Sequence, residues 1–352
     1  MTTLRDIARE AGVSITTVSN VVHNKKSRVS PELTAKILEI ISRENYIPSM
    51  TARTLANKAS PIIGIINHMM SRSGGGFLAD PFHSTFMGSI EDRMREKGYF
   101  IMVRTAADSR SLEEIYRNWN LAGMIFTGLF KDDFFESVRS LGVPYVLIDS
   151  YIDLPEVLNV GLDDQKGGYI ATKHLLEHGH RRIAFTSPCP REGGVIEQRL
   201  NGYKQALREY SVSFDPKLVF EREITISEGV RLGKELGQNK EITGIFASAD
   251  ILAAGIMAGL RETGIKVPDD KSIVGFDDNY LCRITSPPLT TVHQDAEEKG
   301  IIAAEMMIAQ LEGKHIRERN IILPVRLVER ESVTIVSQAS PARHKRAIRK
   351  NA

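Results

Sequence analysis

The sequence predicts a composite fold: a small all-α head carrying a helix-turn-helix, then a larger α/β body built as two lobes. Three observations carry this expectation. The first 22 residues read as two short helices broken at Gly12. After Pro61, short apolar runs alternate with helical segments, the rhythm of a doubly wound parallel sheet. From Gly167 that rhythm begins a second time.

In the head, Leu4, Ile7, Ala8 and Ala11 recur at helical spacing and mark one buried stripe. Gly12 stops the helix, because glycine tolerates the left-handed backbone of a sharp exit. Ser14 is the N-cap candidate of a second helix whose inner face is Val18, Val21 and Val22. Two short helices joined by a Gly-containing turn make the helix-turn-helix pattern. In that pattern the second helix enters the DNA major groove. Ile15, Thr16 and Asn20 would then meet base edges: a thymine methyl, several edges, and adenine respectively. Thr17, Ser19, His23, Asn24, Arg28 and Ser30 suit phosphate contacts, which position without specifying. A third helix starts at Ser30-Pro31-Glu32, a cap, a residue with no N–H to lose, and an acid for the positive dipole end. Its apolar face is Leu33, Ile37, Ile40 and Ile41, and it ends near Glu44-Asn45 before Tyr46-Ile47-Pro48. Residues 46–60 form a link in which Ala52–Asn57 has length for one or two helical turns, too few to be stable alone in water.

In the body, Ile62–Ile66 reads as a buried strand. Helix Phe86–Lys97, strand Tyr99–Val103, helix Leu112–Trp119, strand Gly123–Phe126, helix Phe134–Leu141 and strand Pro144–Ile148 complete the first series. The second comprises helix Gly167–His178, strand Arg182–Phe185, helices Arg199–Tyr210 and Ser227–Leu236, strand Gly244–Ala247, helix Ile251–Thr263 and strand Ser272–Phe276.

Composition narrows the function classes. The 352 residues, 42% apolar and 26% charged, suit two or three globular domains. No apolar run reaches the roughly 18 residues of a membrane span. Arg5, Asp6, Arg9 and Glu10 stand where a signal peptide needs its apolar core, so the expected location is the cytoplasm. Cys189 and Cys282 are expected as plain thiols, and no His/Cys spacing suggests a metal. Residues 1–60 carry nine Lys/Arg against five Asp/Glu, and residues 341–352 carry five Lys/Arg and no acid, whereas the whole chain is only +2. A basic head on an acidic body suits a protein that touches DNA at one end. The P-loop, the nucleophile elbow and the dinucleotide fingerprint are all missing, which argues against an α/β enzyme and against any cofactor.

Thr3 to about Ser337 resembles the lac-repressor family of bacterial transcription regulators. In the head the matching words are Leu4-Arg5-Asp6-Ile7-Ala8, Ala11-Gly12-Val13-Ser14, Thr17-Val18-Ser19, Val29-Ser30-Pro31-Glu32, Tyr46-Ile47-Pro48 and Ala52-Arg53-Thr54-Leu55. In the body they include Gly179-His180-Arg181-Arg182-Ile183-Ala184, Arg199-Leu200-Asn201-Gly202-Tyr203, Val274-Gly275-Phe276-Asp277-Asp278 and Pro288-Leu289-Thr290-Thr291-Val292. The resemblance implies a periplasmic-binding-protein-like body with parallel sheets and three crossings, near Gly161–Asp163, Thr291–Gln294 and Leu323–Pro324. It places the head at 1–47, a hinge at 48–60 and the body at 61–339. Within the body, one lobe takes about 61–161 and 293–322, the other about 162–290 and 323–339. It implies a homodimer on a near-palindromic double-stranded operator, with the hinge folding on DNA and Leu55 wedged in the minor groove. It implies a repressor controlled by a small molecule, a sugar or sugar derivative. Ser340–Ala352 is basic and without leucine heptads, and is expected as a solvated tail.

Ligands of open α/β sheets bind at the carboxyl ends of strands. Asp80 and Phe82, just before the first helix of the lobe, Asp149 and Asp277 at strand ends, and Asp250 after a strand are therefore candidates. Arg199 joins them through its family motif, and Gln294 through the expected crossing. Carboxylates, an arginine and an aromatic face suit vicinal hydroxyls. Simpler roles stand beside these: Asp80 as an N-cap, Asp277 holding its own loop, and Asp163 and Asp164 capping a helix. Two positions depart from sugar-binding members: Ala249 stands where Asn is common, and Ile226 where an aromatic stacks. Residues 71–79, with Gly74-Gly75-Gly76, read as an inserted flexible loop beside the cleft. The competing classes are a solute-binding protein, which needs a signal peptide and no head, and a carbohydrate-active enzyme, for which Asp149 and Asp277 would be the carboxylate pair.

Overall fold

A computed structural model describes residues 2–22, 29–46, 60–68 and 77–336. The chain divides into two compact units, Met1–Pro61 and Ile62–Ala352.

The first unit contains α1 (Leu4–Ala11), α2 (Ile15–Val22) and α3 (Pro31–Arg43). A reciprocal cap opens α1: Thr3 Oγ1 accepts from the Asp6 amide at 3.3 Å, and Asp6 accepts from the Thr3 amide at 3.0 Å. Gly12 ends it at φ 71°. Ser14 Oγ accepts from the Thr17 amide at 3.1 Å, and Ser30 Oγ from the Leu33 amide at 3.3 Å. The core is Ile7, Ala8, Ala11, Val18, Val21, Ile37 and Ile40. Leu33 and Ile41 are only partly buried at its margin. Lys36 Nζ donates to the Ala11 carbonyl at 3.2 Å, satisfying the open end of α1 from α3. The expected hinge helix and Leu55 lie outside the described residues.

The second unit holds two six-stranded sheets. In order they use β1 (Ile62–Asn67), α4 (Pro81–Glu96), β2 (Phe100–Thr105), α5 (Ser109–Trp119), β3 (Gly123–Thr127), α6 (Asp133–Ser140), β4 (Tyr145–Ile148), β5 (Asn159–Leu162), α7 (Asp164–Glu177), β6 (Ile183–Ser187), α8 (Val195–Glu209), β7 (Val219–Glu221), α9 (Ile226–Gln238), β8 (Gly244–Ala247), α10 (Asp250–Glu262), β9 (Ser272–Asp277), α11 (Leu281–Ile284), β10 (Thr290–His293), α12 (Ala296–Leu311), β11 (Asn320–Leu323) and β12 (Arg326–Val328). The strand orders are β11-β5-β4-β3-β1-β2 and β12-β10-β9-β8-β6-β7. The chain passes between the sheets after β5, after β10 and after β11.

Every pair is parallel except β10–β12. The reason is topological. β11 leaves its sheet at the carboxyl end, and a two-residue link delivers the chain to the same end of the other sheet, so β12 runs backwards along its edge. Two helices start a turn or more before the apolar periodicity suggested: α4 at Pro81 rather than Phe86, and α8 at Val195 rather than Arg199. Their opening turns stand at the carboxyl ends of the strands and carry polar groups, so the hydrophobic stripe begins a turn or two late. α7 and α8 cross in near backbone contact: a Cβ on Gly168 would stand 2.0 Å from the Arg199 carbonyl oxygen.

Candidate functional site

A cavity of about 470 Å³ opens where the carboxyl ends of the two sheets face each other. Asp80, Phe82 and Asp149 line it from the first lobe, Arg199 and Asp277 from the second, and Gln294 from the crossing. Of the seven sequence candidates, Asp250 alone is not in the wall. It is fully buried in the first turn of α10, where it accepts from Thr291 Oγ1 at 2.6 Å and from the Asn279 amide at 3.0 Å. Burial raises its pKa to about 7. Its place after a strand suggested the cavity, but its side chain turns into the β9–β10 layer, and Ala249 stands in the wall instead.

Asp80 lines the cavity and is also the N-cap foreseen for it. Oδ1 caps α4 by accepting from the Phe82 amide at 3.1 Å, and Oδ2 lies 2.8 Å from His83 Nδ1. Asp149, in the left-handed region at φ 54°, follows β4. Its two oxygens accept from Lys299 Nζ at 2.7 and 2.9 Å. Lys299 is wholly inaccessible, and its third proton goes to Gln294 Oε1 at 2.8 Å. Gln294 Nε2 in turn donates to Asp277 Oδ1 at 2.6 Å. A buried chain Asp149–Lys299–Gln294–Asp277 therefore joins the two lobes beneath the cavity. Asp277 sits at φ 118°, which is strained for a residue with a side chain. Burial, then the nearby Asp250 and Asp80, push its pKa well up, against the pull of Arg199 and the Gln294 bond.

Arg199 lies one turn into α8. Nε donates to Asp164 Oδ1 at 2.8 Å, Nη1 to the Ser248 carbonyl at 2.6 Å, and the guanidinium stacks 3.6 Å from the Phe276 ring centroid. Asp164 is 1% exposed and also accepts from the Tyr151 hydroxyl at 2.8 Å. Burial raises its pKa, with Arg199 the chief opposing influence. Asp163 does cap α7, through the Lys166 amide at 3.0 Å, whereas Asp164 is the counterion of Arg199. Aromatic surface comes from Phe82, with the buried Phe86 ring packed behind it at 5.4 Å, and from Phe130, not from position 226, where Ile226 is half exposed outside the wall. Arg191 covers Phe130 at 4.2 Å from the ring centroid. Sequence reasoning missed Lys299 and the pairing role of Asp164. The signal for the first was present: a lone lysine before the apolar run Gly300-Ile301-Ile302-Ala303-Ala304.

On the head, Ile15 is 44% exposed, Thr16 is exposed, and Thr17, Ser19 and Asn20 are half-buried along α2. Thr17 Oγ1 shares a 2.9 Å hydrogen bond with Ser14 Oγ, so it also serves the helix start. Val18 and Val21 are core. Ser30 is exposed at the cap of α3. His23, Asn24 and Arg28 lie outside the described residues. Among the described residues there is no helix long and apolar enough to cross a membrane, and no cluster suited to a metal ion.

Residues 3–49 match the family described as bacterial regulatory proteins, lacI family, and residues 172–333 match the periplasmic binding protein-like domain. The HTH-type transcriptional regulator DegA of Bacillus subtilis is 33% identical over 341 residues, 95% of this chain and 98% of that protein. Among solved structures, the lac repressor dimer bound to operator and the anti-inducer ONPF superposes with a TM-score of 0.79 at 26% identity, covering 95% of this chain and 99% of that one. The complex of the transcriptional regulator CelR with cellobiose gives 0.69 at 27% identity, covering 94% and 100%.

Proposed function

Because the chain belongs to the lacI family of bacterial regulatory proteins, we propose that it is a cytoplasmic homodimeric repressor whose grip on DNA is set by a small molecule in the cleft. The family is one of transcription regulators, not enzymes, so Asp149 and Asp277 act as binding groups. The observation that carries the reading is the pairing, in one chain, of a helix-turn-helix head with a cavity lined by side chains from both lobes.

Each head reads one half-site of a near-palindromic operator. Ile15, Thr16 and Asn20 face base edges, while Thr17, Ser19, His23, Asn24, Arg28 and Ser30 hold phosphates. The paired hinges enter the minor groove at the operator centre with Leu55 as the wedge. In the cleft, Asp80, Asp149 and Asp277 accept from ligand hydroxyls, Arg199 donates, Phe82 offers a flat apolar face, and Gln294 holds the crossing. A sugar-like ligand is proposed on this chemistry and on the cellobiose complex of the relative. Ligand contacts made from both lobes favour one lobe arrangement over others. That preference is the coupling free energy through which ligand and operator influence each other.

Selection of the purified protein against a random duplex library tests this. The expected product is an inverted repeat with one half-site per head. Enrichment of no motif would overturn the reading.

A further inference from the structure

Ion pairing around the cavity is one-sided. Lys299 holds Asp149 at 2.7 Å, Arg199 holds Asp164 at 2.8 Å, and Arg191 lies 3.9 Å from Asp132. At the mouth, Arg222 holds Glu235 at 2.6 Å, and Arg231 holds Glu228. Every one of these cations has a carboxylate of its own. The converse does not hold. Asp80 has the His83 imidazole at 2.8 Å, and Asp277, Glu221 and Glu223 have no cation within ion-pair distance among the described residues. Glu221 and Glu223 line a polar groove that adjoins the cavity, sharing Pro188, Cys189 and Glu223 with it.

Asp277 is the decisive case. It is 8% exposed and lines the cavity. Oδ1 takes the Gln294 amide, and its second oxygen has no donor among the described residues. A buried carboxylate without a counterion costs several kcal/mol. The adjacent Asp278 escapes that cost, because its carboxylate is held by Arg330 at 2.5 Å and lies 2.9 Å from His293 Nδ1. Around Asp277, burial first and then the crowding of Asp250 and Asp80 push the pKa up, against the pull of Arg199, whose close partner is Asp164. A cation arriving with the ligand would relieve this repulsion, and an anion would worsen it.

We propose that the effector carries a protonated amine that seats on Asp277 with Asp80 alongside, as an amino sugar or another polyhydroxylated amine would, and that sugar phosphates are excluded. The inference rests on the regulator reading above and deepens it by naming the ligand class. An ammonium supplies three donors, enough for the open Asp277 oxygen and a second acceptor. Glu221 and Glu223 at the entrance raise the local concentration of such a cation.

The test is calorimetric titration of the full-length protein at pH 7 with matched series: glucosamine, galactosamine and mannosamine, their neutral parents, and the parents' 6-phosphates. One aminated member binds at least about tenfold tighter than its parent, the gain expected when a neutral donor becomes charge-assisted. The 6-phosphates do not bind. Asp277→Asn brings the aminated and neutral members level; if that variant does not fold, Asp80→Asn is measured instead and narrows the gap. A neutral parent binding as tightly as its amine, or a phosphate binding at all, overturns the proposal and leaves the regulator reading standing. Silence from every amine also overturns it, while duplex selection judges the regulator reading separately.

Discussion

Replacing Lys299 by Met removes a cation that has no contact with water and nearly preserves its volume. Nζ makes three hydrogen bonds, to both oxygens of Asp149 and to Gln294, and lies 5.0 Å from the Phe82 ring centroid. With the cation gone, the Asp149 carboxyl loses its partner at a site where its side chain is 15% exposed. Breaking a buried pair by deleting one partner costs about 3–5 kcal/mol. At roughly 2–4 °C per kcal/mol for a large domain, melting falls by about 10 °C. Replacing both members, Lys299→Met with Asp149→Asn, leaves no orphaned charge and returns to within about 1–2 kcal/mol of the parent. Urea unfolding of the parent, both single variants and the double variant closes a mutant cycle; with about 3–5 kcal/mol for each single change and about 1–2 kcal/mol for the double, the coupling should reach at least about 4 kcal/mol. A Lys299→Met variant within about 1 kcal/mol of the parent, or an additive cycle, would refute the buried chain between the lobes.

Three further outcomes follow from the same geometry. Asp250 titrates near 7 in the fold against about 3.9 when free. The folded chain therefore binds more protons than the unfolded one between those values, and stability falls as pH rises across that window, by about 4 kcal/mol. Asp250→Asn should flatten the stability profile between pH 4 and 7 by that order, and parallel profiles would contradict it. Gly168→Ala should cost about 1–3 kcal/mol in urea unfolding, because the Arg199 carbonyl occupies the place of the new methyl and a helix backbone must move; an unchanged midpoint speaks against the close crossing. Asn20→Ala should change which operators are preferred, whereas Arg28→Ala should weaken all of them alike, measured across an operator variant library. The same preference profile for Asn20→Ala and the parent would remove Asn20 from base reading.

The parts of the fold that were legible in the sequence rest on local signals. Ser14, Ser30 and Gly12 mark helix ends through chemistry confined to three or four residues, and the apolar runs of β1, β3, β4, β8 and β9 are buried strands in plain view. The strands that escaped notice, β5, β7, β10, β11 and β12, are only three or four residues long, and most lie where the chain changes lobe or at a sheet edge. Such strands are defined by their partners, so no local pattern announces them. The cavity shows the same division. Asp80, Asp149 and Asp277 could be placed because each stands beside a strand or helix end. Asp250 could not be told from them, since the direction of its side chain depends on Thr291, 41 residues away. Lys299 and Asp164 pair with Asp149 and Arg199 across 150 and 35 residues, distances over which one sequence carries no information.

The central claim is that ligand in the cleft and operator on the heads are energetically linked. The direct measurement is the affinity of the full-length protein for its selected inverted repeat, with and without a saturating cleft ligand, together with ligand affinity with and without that duplex. The account predicts a change of about 5- to 150-fold in each, equal in size because linkage is reciprocal. Ligand that binds in the cleft and leaves the affinity for the duplex unchanged would contradict it.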